Sequence, residues 1–398
     1  MSDRYWIILV LALLAWSFYA RKAYDFAYVV FGRIADRLKR RSGPQSLRMS
    51  RDSVVDRSAG QADEIAAYLA RVRVAAQQSA ILDSSSAQAF ERGQEGARAR
   101  LRQSLRYPPP GFEQPPTGAV VETVIGEDEF ARYVELRIPV LDGLHSIGIY
   151  LRPRSAAATD KLPLVISAHG RGGMPPASPD GQMPGMARSP RDQTWHALKA
   201  GYAVWFPTFA HYNKEGDDFR DRLTVRAWEA GSSLPAIEIA KTVRTLDALL
   251  ARPDIDADRV AMMGVSYGGF YTLYTSALEP RIRVAVVAAY FNDREAVLDN
   301  SEASGFLDWR FPDSLGLWRD PSVAALVAPR PLLVVSGNQD QLFPIEGARK
   351  AAPEVAQLYA RLGIAESFVF KEFAGRHDFN GEAAMDFIVK KLGGPAGR

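Results

Sequence analysis

Residues 259–278 read RVAMMGVSYGGFYTLYTSAL. Val260 to Val265 form a continuous apolar run without polar alternation, as in a strand buried on both faces. The stretch from Gly268 to Leu278 has the length and apolar content of a buried helix. Between them, Gly264-Val265-Ser266-Tyr267-Gly268-Gly269 leaves room only for a tight turn. Glycines at such a turn remove the Cβ atoms that would otherwise forbid it. A serine placed there stands above the sheet edge, beside a helix N-terminus that favours negative charge. The plain alternative is a glycine-rich strand–helix turn with no chemistry.

The same pattern recurs on either side. Apolar runs at 163–168, 202–206, 260–265, 283–289, 331–335 and 367–373 alternate with amphipathic stretches near 191–200, 235–251, 268–278, 345–362 and 381–392. Strands apolar on both faces, with helices between them, imply a mostly parallel, doubly wound α/β sheet. Segments 119–125, 131–140 and 145–152 are separated by Gly-containing turns and predict an antiparallel meander ahead of it. The catalytic domain is expected over 111–398, introduced by Tyr107-Pro108-Pro109-Pro110-Gly111, which stops a helix.

Upstream, residues 61–110 predict a helical extension broken near Asp83-Ser84-Ser85-Ser86. Ile65, Leu69, Val72 and Ala76 share one face, expected to pack on the main domain. Residues 23–60 are read as a basic linker, flexible from Ser42 to Gly60, with 24–41 either an interfacial helix or a solvated linker. Residues 1–22 contain Tyr5 to Ala20, YWIILVLALLAWSFYA, an uncharged apolar run edged by aromatics. Sixteen helical residues rise about 24 Å, slightly short of a ~30 Å hydrocarbon core. A single N-terminal membrane anchor through residues 5–20 is the expectation. A cleaved signal is the rival, although Phe18-Tyr19 is bulky for a cleavage site. Arg21, Lys22, Arg33, Arg37, Lys39, Arg40 and Arg41 all follow the run and favour a cytoplasmic catalytic domain.

Composition narrows the chemistry. The 398 residues carry no cysteine, which excludes disulfides, Cys-ligated zinc and a thiol nucleophile. A net charge of +3 argues against nucleic acid as a partner. No metal motif or cofactor fingerprint is present, so none is expected. A serine hydroxyl needs a base, and the histidines are His145, His169, His196, His211 and His377. Only His377 follows Ser266; it lies just past the last expected strand and is the candidate base. The supporting acid is Asp340, after strand 331–335, or Asp293, after strand 283–289, with Asp340 favoured. His169-Gly170-Arg171-Gly172-Gly173 follows strand 163–168 and can present N–H groups to an oxyanion. The expected donors are the Tyr267 N–H and the Arg171 N–H or its neighbour. A phosphate loop is the alternative, but no Gly-Lys-Ser/Thr follows. Trp309, Phe311 and Trp318, within 299–325, are either lid residues or plain loop packing.

Asp256-Ala257-Asp258-Arg259-Val260 leading into Gly264–Gly269, and Ala328-Pro329-Arg330-Pro331-Leu332-Leu333 leading to Asp340, resemble the dienelactone-hydrolase and acetyl-xylan-esterase-like branch of the α/β-hydrolases. The resemblance covers about residues 90 to 395. It implies an α/β-hydrolase fold, a triad of Ser266, Asp340 and His377, and a serine hydrolase acting on carboxylic esters, acetyl esters of carbohydrates among them. The branch also holds prolyl-oligopeptidase-like peptidases, whose serine motif is similar to Ser266-Tyr267-Gly268-Gly269, though no propeller domain precedes this one. A catalytically silent, membrane-anchored binding protein is the reading from a different class.

Overall fold

The protein is described by a computed structural model covering residues 51–79, 82–171, 188–210, 217–294, 297 and 306–394. The apolar segment 5–20, the basic stretch 24–41 and His211 lie outside those residues. Among the described residues, no helix is long and apolar enough to cross a membrane.

Strand β1 (Val121–Glu127), β2 (Ala131–Leu141) and β3 (Leu144–Pro153) form the expected meander. They are followed by β4 (Leu162–Ala168), β5 (Ala203–Pro207), β6 (Ile255–Val265), β7 (Val284–Ala288), β8 (Leu332–Gly337) and β9 (Phe368–Phe373). All join one sheet in the order β1-β2-β3-β5-β4-β6-β7-β8-β9. Pairing is antiparallel from β1 to β5 and parallel from β5 onward. Side chains alternate across the sheet, and both faces are covered. In β6, Val260 and Met262 enter one core while Ala261, Met263 and Val265 enter the other. This two-sided burial is why the central strands read as unbroken apolar runs.

Among the described residues, ten further elements flank or precede the sheet: α1 (Arg51–Ser79), α2 (Ala87–Leu105), α3 (Arg188–Lys199), α4 (Asp217–Glu229), α5 (Leu234–Leu250), α6 (Tyr267–Leu278), α7 (Asp320–Ala325), α8 (Ile345–Arg361), a 3₁₀ turn (Ala365–Ser367) and α9 (Gly381–Leu392). Apolar residues of α2, α5, α6, α7 and α8 line the first core; those of α3 and α9 line the second. The sequence pattern did not single out α4 or α7. Helix α4 mixes charge with few apolar residues, and α7 has only six residues.

The N-terminal region departs from expectation in two ways. Helix α1 begins at Arg51, so the second half of the stretch expected to be a flexible connector is helical. One Gly among good helix formers lowers helix stability by only about 1 kcal/mol relative to Ala. Along α1, Ile65, Leu69 and Val72 are about half exposed, while Ala76 lies beside Gly316 and Gln77 Nε2 donates to Leu315 O at 3.1 Å. The chain divides into units Met1–Leu69 and Ala70–Arg398.

Helix α2 buries its apolar face. Ser86 Oγ caps it by accepting from the Ala89 N–H. Phe90, Ala97, Leu101 and Leu105 are buried on one face. On that face Gln94 Nε2 donates to the Ala325 and Ala328 carbonyls at 2.8 and 2.7 Å. Arg98 donates to Ala277 O at 3.0 Å and to Leu326 O at 2.8 Å. Ala277 lies in the last turn of α6, whose carbonyls have no intrahelical donors. Helix α2 therefore caps the far end of the helix that begins at Ser266. Leu101→Ala should lower unfolding free energy by about 2–5 kcal/mol, whereas Leu69→Ala should stay within about 0.5 kcal/mol. Urea denaturation of the two variants measures the contrast.

Candidate active site

Ser266 sits between β6 and α6 with φ 56 and ψ −115. A non-glycine residue in this region carries strain of about 1–3 kcal/mol and persists only where its surroundings over-determine it. Here they do. A Cβ at Gly268 would lie 2.0 Å from Ala168 O, and one at Gly264 would lie 2.3 Å from Gly268 O. A Cβ at Gly269 would lie 2.7 Å from Tyr290 Cβ. The start of α6 is thus wedged between the ends of β4 and β7, and only glycine permits that approach. Ser266 N donates to Ala288 O at 2.8 Å, fixing the turn to β7.

Asp340 follows β8, two strands from Ser266, which places the two strand exits about 10 Å apart. Its Oδ1 accepts from the Leu342 and Phe343 N–H groups, both at 2.9 Å. Its Oδ2 lies 2.8 Å from His377 Nδ1. The Asp340 side chain is 1% exposed and His377 is 24% exposed. In the Nδ1–H tautomer the imidazole donates to the carboxylate and leaves Nε2 as a proton acceptor. The loop that brings His377 back is tied to the acid's loop. Asn338 N donates to Phe373 O at 2.9 Å, and Gln339 N to Gly375 O at 2.8 Å. A Cβ at Gly337 would meet Arg376 O at 2.2 Å, so these loops also need a glycine between them. Phe343 stacks on the His377 ring, centroids 5.6 Å apart. Ser266 Oγ and His377 share no hydrogen bond in this structure, a looseness common in unliganded sites of this chemistry. Asp293 is placed elsewhere, paired with Lys350.

The loop after β4 lies against the serine. A Cβ at Gly170 would be 3.6 Å from Ser266 Cβ. Gly172 and Gly173 fall outside the described residues. Arg171 is held by its side chain: Nη1 donates to Asp308 at 3.0 Å, and the guanidinium lies 3.4 Å over the Phe306 ring. Arg220 Nε also pairs with Asp308 at 3.0 Å, and the Asp308 side chain is fully buried. Sequence reasoning missed Asp308 and Arg220, which no local motif marks. Trp309, Phe311 and Trp318 are all buried in the first core, so they pack as wall residues and are not an exposed lid.

His169 is fully buried, stacked on Phe206 at 5.2 Å and tilted against Phe209 at 5.1 Å. Its Nδ1 lies 2.9 Å from Gly170 O. Burial depresses its pKa to about 4, outweighing the Gly170 and Pro207 carbonyls, which favour protonation. The unfolded chain therefore binds this proton first. Stability is fully retained above about 6.5 and is lost progressively as pH falls toward about 4. His169→Phe, which keeps a ring in the stack, should flatten that acid limb in urea denaturation measured from pH 7 to 4.

Comparison with known proteins gives consistent results for the fold. Residues 193–363, a span that includes Ser266 and Asp340 but ends before His377, match the model of the prolyl oligopeptidase family. "Putative hydrolase YtaP" of Bacillus subtilis (strain 168) is 30% identical over 37% of this chain and 50% of its own length. "Uncharacterized peptidase YuxL" of the same organism is 26% identical over 56% of this chain and 34% of its own. The chain thus spans half or less of the curated relatives it matches. Among solved structures, Methylesterase BT1017 superposes with TM-score 0.59 at 20% identity, covering 79% of this chain and 66% of that one. A glucuronoyl esterase from Solibacter usitatus gives 0.55 at 18% identity, covering 77% and 94%. The sheet order, the strained serine turn and these superpositions agree that the chain has an α/β-hydrolase fold.

Proposed function

We propose that this chain is a serine hydrolase cleaving carboxylic esters through an acyl-enzyme on Ser266. The observation that carries this reading is the strained Ser266 backbone at the N-terminus of α6, together with a preformed His377–Asp340 pair at the carboxyl end of the same sheet. Ser266 attacks the ester carbonyl, and His377 takes its proton and later delivers it to the leaving alcohol. Asp340 holds the imidazole tautomer and stabilises the imidazolium. The Tyr267 N–H, first in α6, and the Arg171 N–H stabilise the oxyanion. Water then releases the acyl group. The methylesterase and glucuronoyl esterase likenesses favour an ester, and a carbohydrate-borne ester among esters. The family model matched by 193–363 favours the second reading, a peptidase of the prolyl oligopeptidase type.

Fluorophosphonate labelling with mapping of the modified residue tests the mechanism. Ser266→Ala should abolish labelling and reduce ester turnover by about 10⁴- to 10⁶-fold. Asp340→Asn should reduce turnover by about 10³- to 10⁴-fold, because the amide selects the wrong tautomer. Asp293→Asn should have little effect. Labelling that survives Ser266→Ala places the nucleophile elsewhere, and a parent that never labels supports a silent binding protein. Faster turnover of a prolyl anilide than of any ester would favour the peptidase.

The apolar run from Tyr5 to Ala20 supports a membrane-anchored enzyme, with the basic residues after it favouring a cytoplasmic catalytic unit. Full-length protein should stay with membranes in 1 M salt, since an inserted helix is not screened while binding by residues 33–41 alone is. Release by salt would mark a peripheral segment, and a mature N-terminus near residue 21 would mark a cleaved signal.

A further inference from the structure

Three consecutive residues follow β4, and each is held differently. His169 is fully buried and packs on Phe206 and Phe209. Gly170 stands against the serine: a Cβ added there would lie 3.4 Å from Val265 O and 3.6 Å from Ser266 Cβ. Arg171 is tied by its side chain, with Nη1 donating to Asp308 Oδ1 at 3.0 Å and to Oδ2 at 3.2 Å. Its guanidinium also lies 3.4 Å over the Phe306 ring. The Gly170–Arg171 peptide is therefore pinned on both flanks where it passes Ser266. Glycine has more backbone freedom to lose than any other residue, so the ties beside it decide where this peptide sits.

The anchor is itself fixed against the helix that begins at the serine. Trp309, next to Asp308, is buried and stacks on Tyr267 at 5.9 Å. Two adjacent residues, Asp308 and Trp309, thus hold the two residues whose N–H groups are assigned to the oxyanion.

Charge matching alone does not account for the second arginine. Asp308 is fully buried, and Arg220, itself 2% exposed, already lies 3.0 Å from Oδ2 as an ion pair. One buried guanidinium balances one carboxylate. Arg171 is 19% exposed and comes from the loop at the serine, so what it adds is placement. A planar guanidinium held by a carboxylate at its end and by a ring on its face is fixed in direction and in plane. A lysine ammonium in its place would be fixed in direction only. We propose that Asp308 is a positioning residue for ester hydrolysis: through the Arg171 side chain it holds the loop after β4 so that the Arg171 N–H meets the oxyanion formed at Ser266. The proposal rests on the ester-hydrolase reading above. It makes the Arg171 side chain part of transition-state stabilisation and not of substrate binding.

The test uses the full chain, with butyl acetate as substrate and a trifluoromethyl alkyl ketone as a mimic of the tetrahedral intermediate. A poor leaving alcohol keeps acylation slow, so KM reports ground-state binding. On the ketone, Ser266 Oγ adds to the carbonyl carbon, His377 takes the hydroxyl proton, and the carbonyl oxygen takes up the negative charge. Asp308→Asn strands the buried Arg220 and puts folding itself at risk, so Arg171→Met is the main variant and Arg171→Lys its conservative partner. Rates are expressed per site titrated with a fluorophosphonate, which removes any misfolded fraction. Arg171→Met should lower kcat about 10- to 100-fold, the effect of misplacing a catalytic group by about 1 Å. KM should stay within about twofold, and the ketone should bind more weakly by the same factor as kcat falls. Arg171→Lys should recover part of both losses. A raised KM at unchanged kcat would make the guanidinium a substrate-binding group and overturn the proposal. Unchanged kcat and ketone affinity in Arg171→Met would overturn it too, as would a loss that vanishes per titrated site. A parent chain with neither Ser266-dependent hydrolysis nor labelling refutes the ester-hydrolase reading instead.

Discussion

The site depends on how closely helix α6 approaches the strand ends beside it. Gly268 lies so near Ala168 O, and Gly264 so near Gly268 O, that no side chain fits at either position. This approach forces the intervening residue into the left-handed region, and that residue is Ser266. The strain is small beside the burial that holds α6, whose Phe270, Tyr271, Leu273, Tyr274 and Ala277 are all inside the first core. The opposite end of α6 is secured by charge. Arg98 reaches Ala277 O, and Arg330 donates to the Ser276, Glu279 and Ile282 carbonyls. A cation at a helix C-terminus also complements the dipole that makes the Ser266 end attractive to developing negative charge.

The remaining geometry follows from strand order. With β7 between the serine strand and the acid strand, Asp340 is too far to act on the hydroxyl directly. The imidazole that pairs with Asp340 comes from the exit of the next strand along. The β9 loop is stitched onto the β8 loop by backbone hydrogen bonds at Asn338 and Gln339, so His377 and Asp340 are positioned as a unit before any substrate arrives. The carboxylate's other oxygen is taken up by two N–H groups at the entrance to α8. One of these belongs to Phe343, the ring that supports the imidazole.

What the sequence made legible was what depends on local periodicity and on chain order. The central strands were readable because two-sided burial removes polar alternation. The serine turn was readable because three glycines meet backbone at it, a demand that few other residues satisfy. His377 was identifiable because no other histidine follows Ser266. Asp340 was favoured as the candidate acid over Asp293, though both follow strands; in the folded loops Lys350 pairs with Asp293 and His377 with Asp340. For α1 periodicity reported a face but not what covers each position: Ala76 lies beside Gly316, while Val72 is about half exposed. Helix α2 is poorer in apolar residues than α1, yet it buries its face because Gln94 and Arg98 find carbonyls there.

Asp308 was invisible to sequence reasoning for a related reason: its partners come from distant segments. A buried carboxylate is tolerable only when its charge is matched in close contact. Arg171 and Arg220 supply that match. The consequence is a coupling between parts that look unrelated along the chain. The loop after β4, which stands against Ser266, is anchored through the Arg171 side chain to the segment that carries Phe306, Asp308 and Trp309. Adjacent residues of that segment serve both sides of the serine. Asp308 fixes the loop on the β4 side, while Trp309 packs on Tyr267, the residue after Ser266. A shift of this segment would therefore move the loop after β4 and the packing around Tyr267 together.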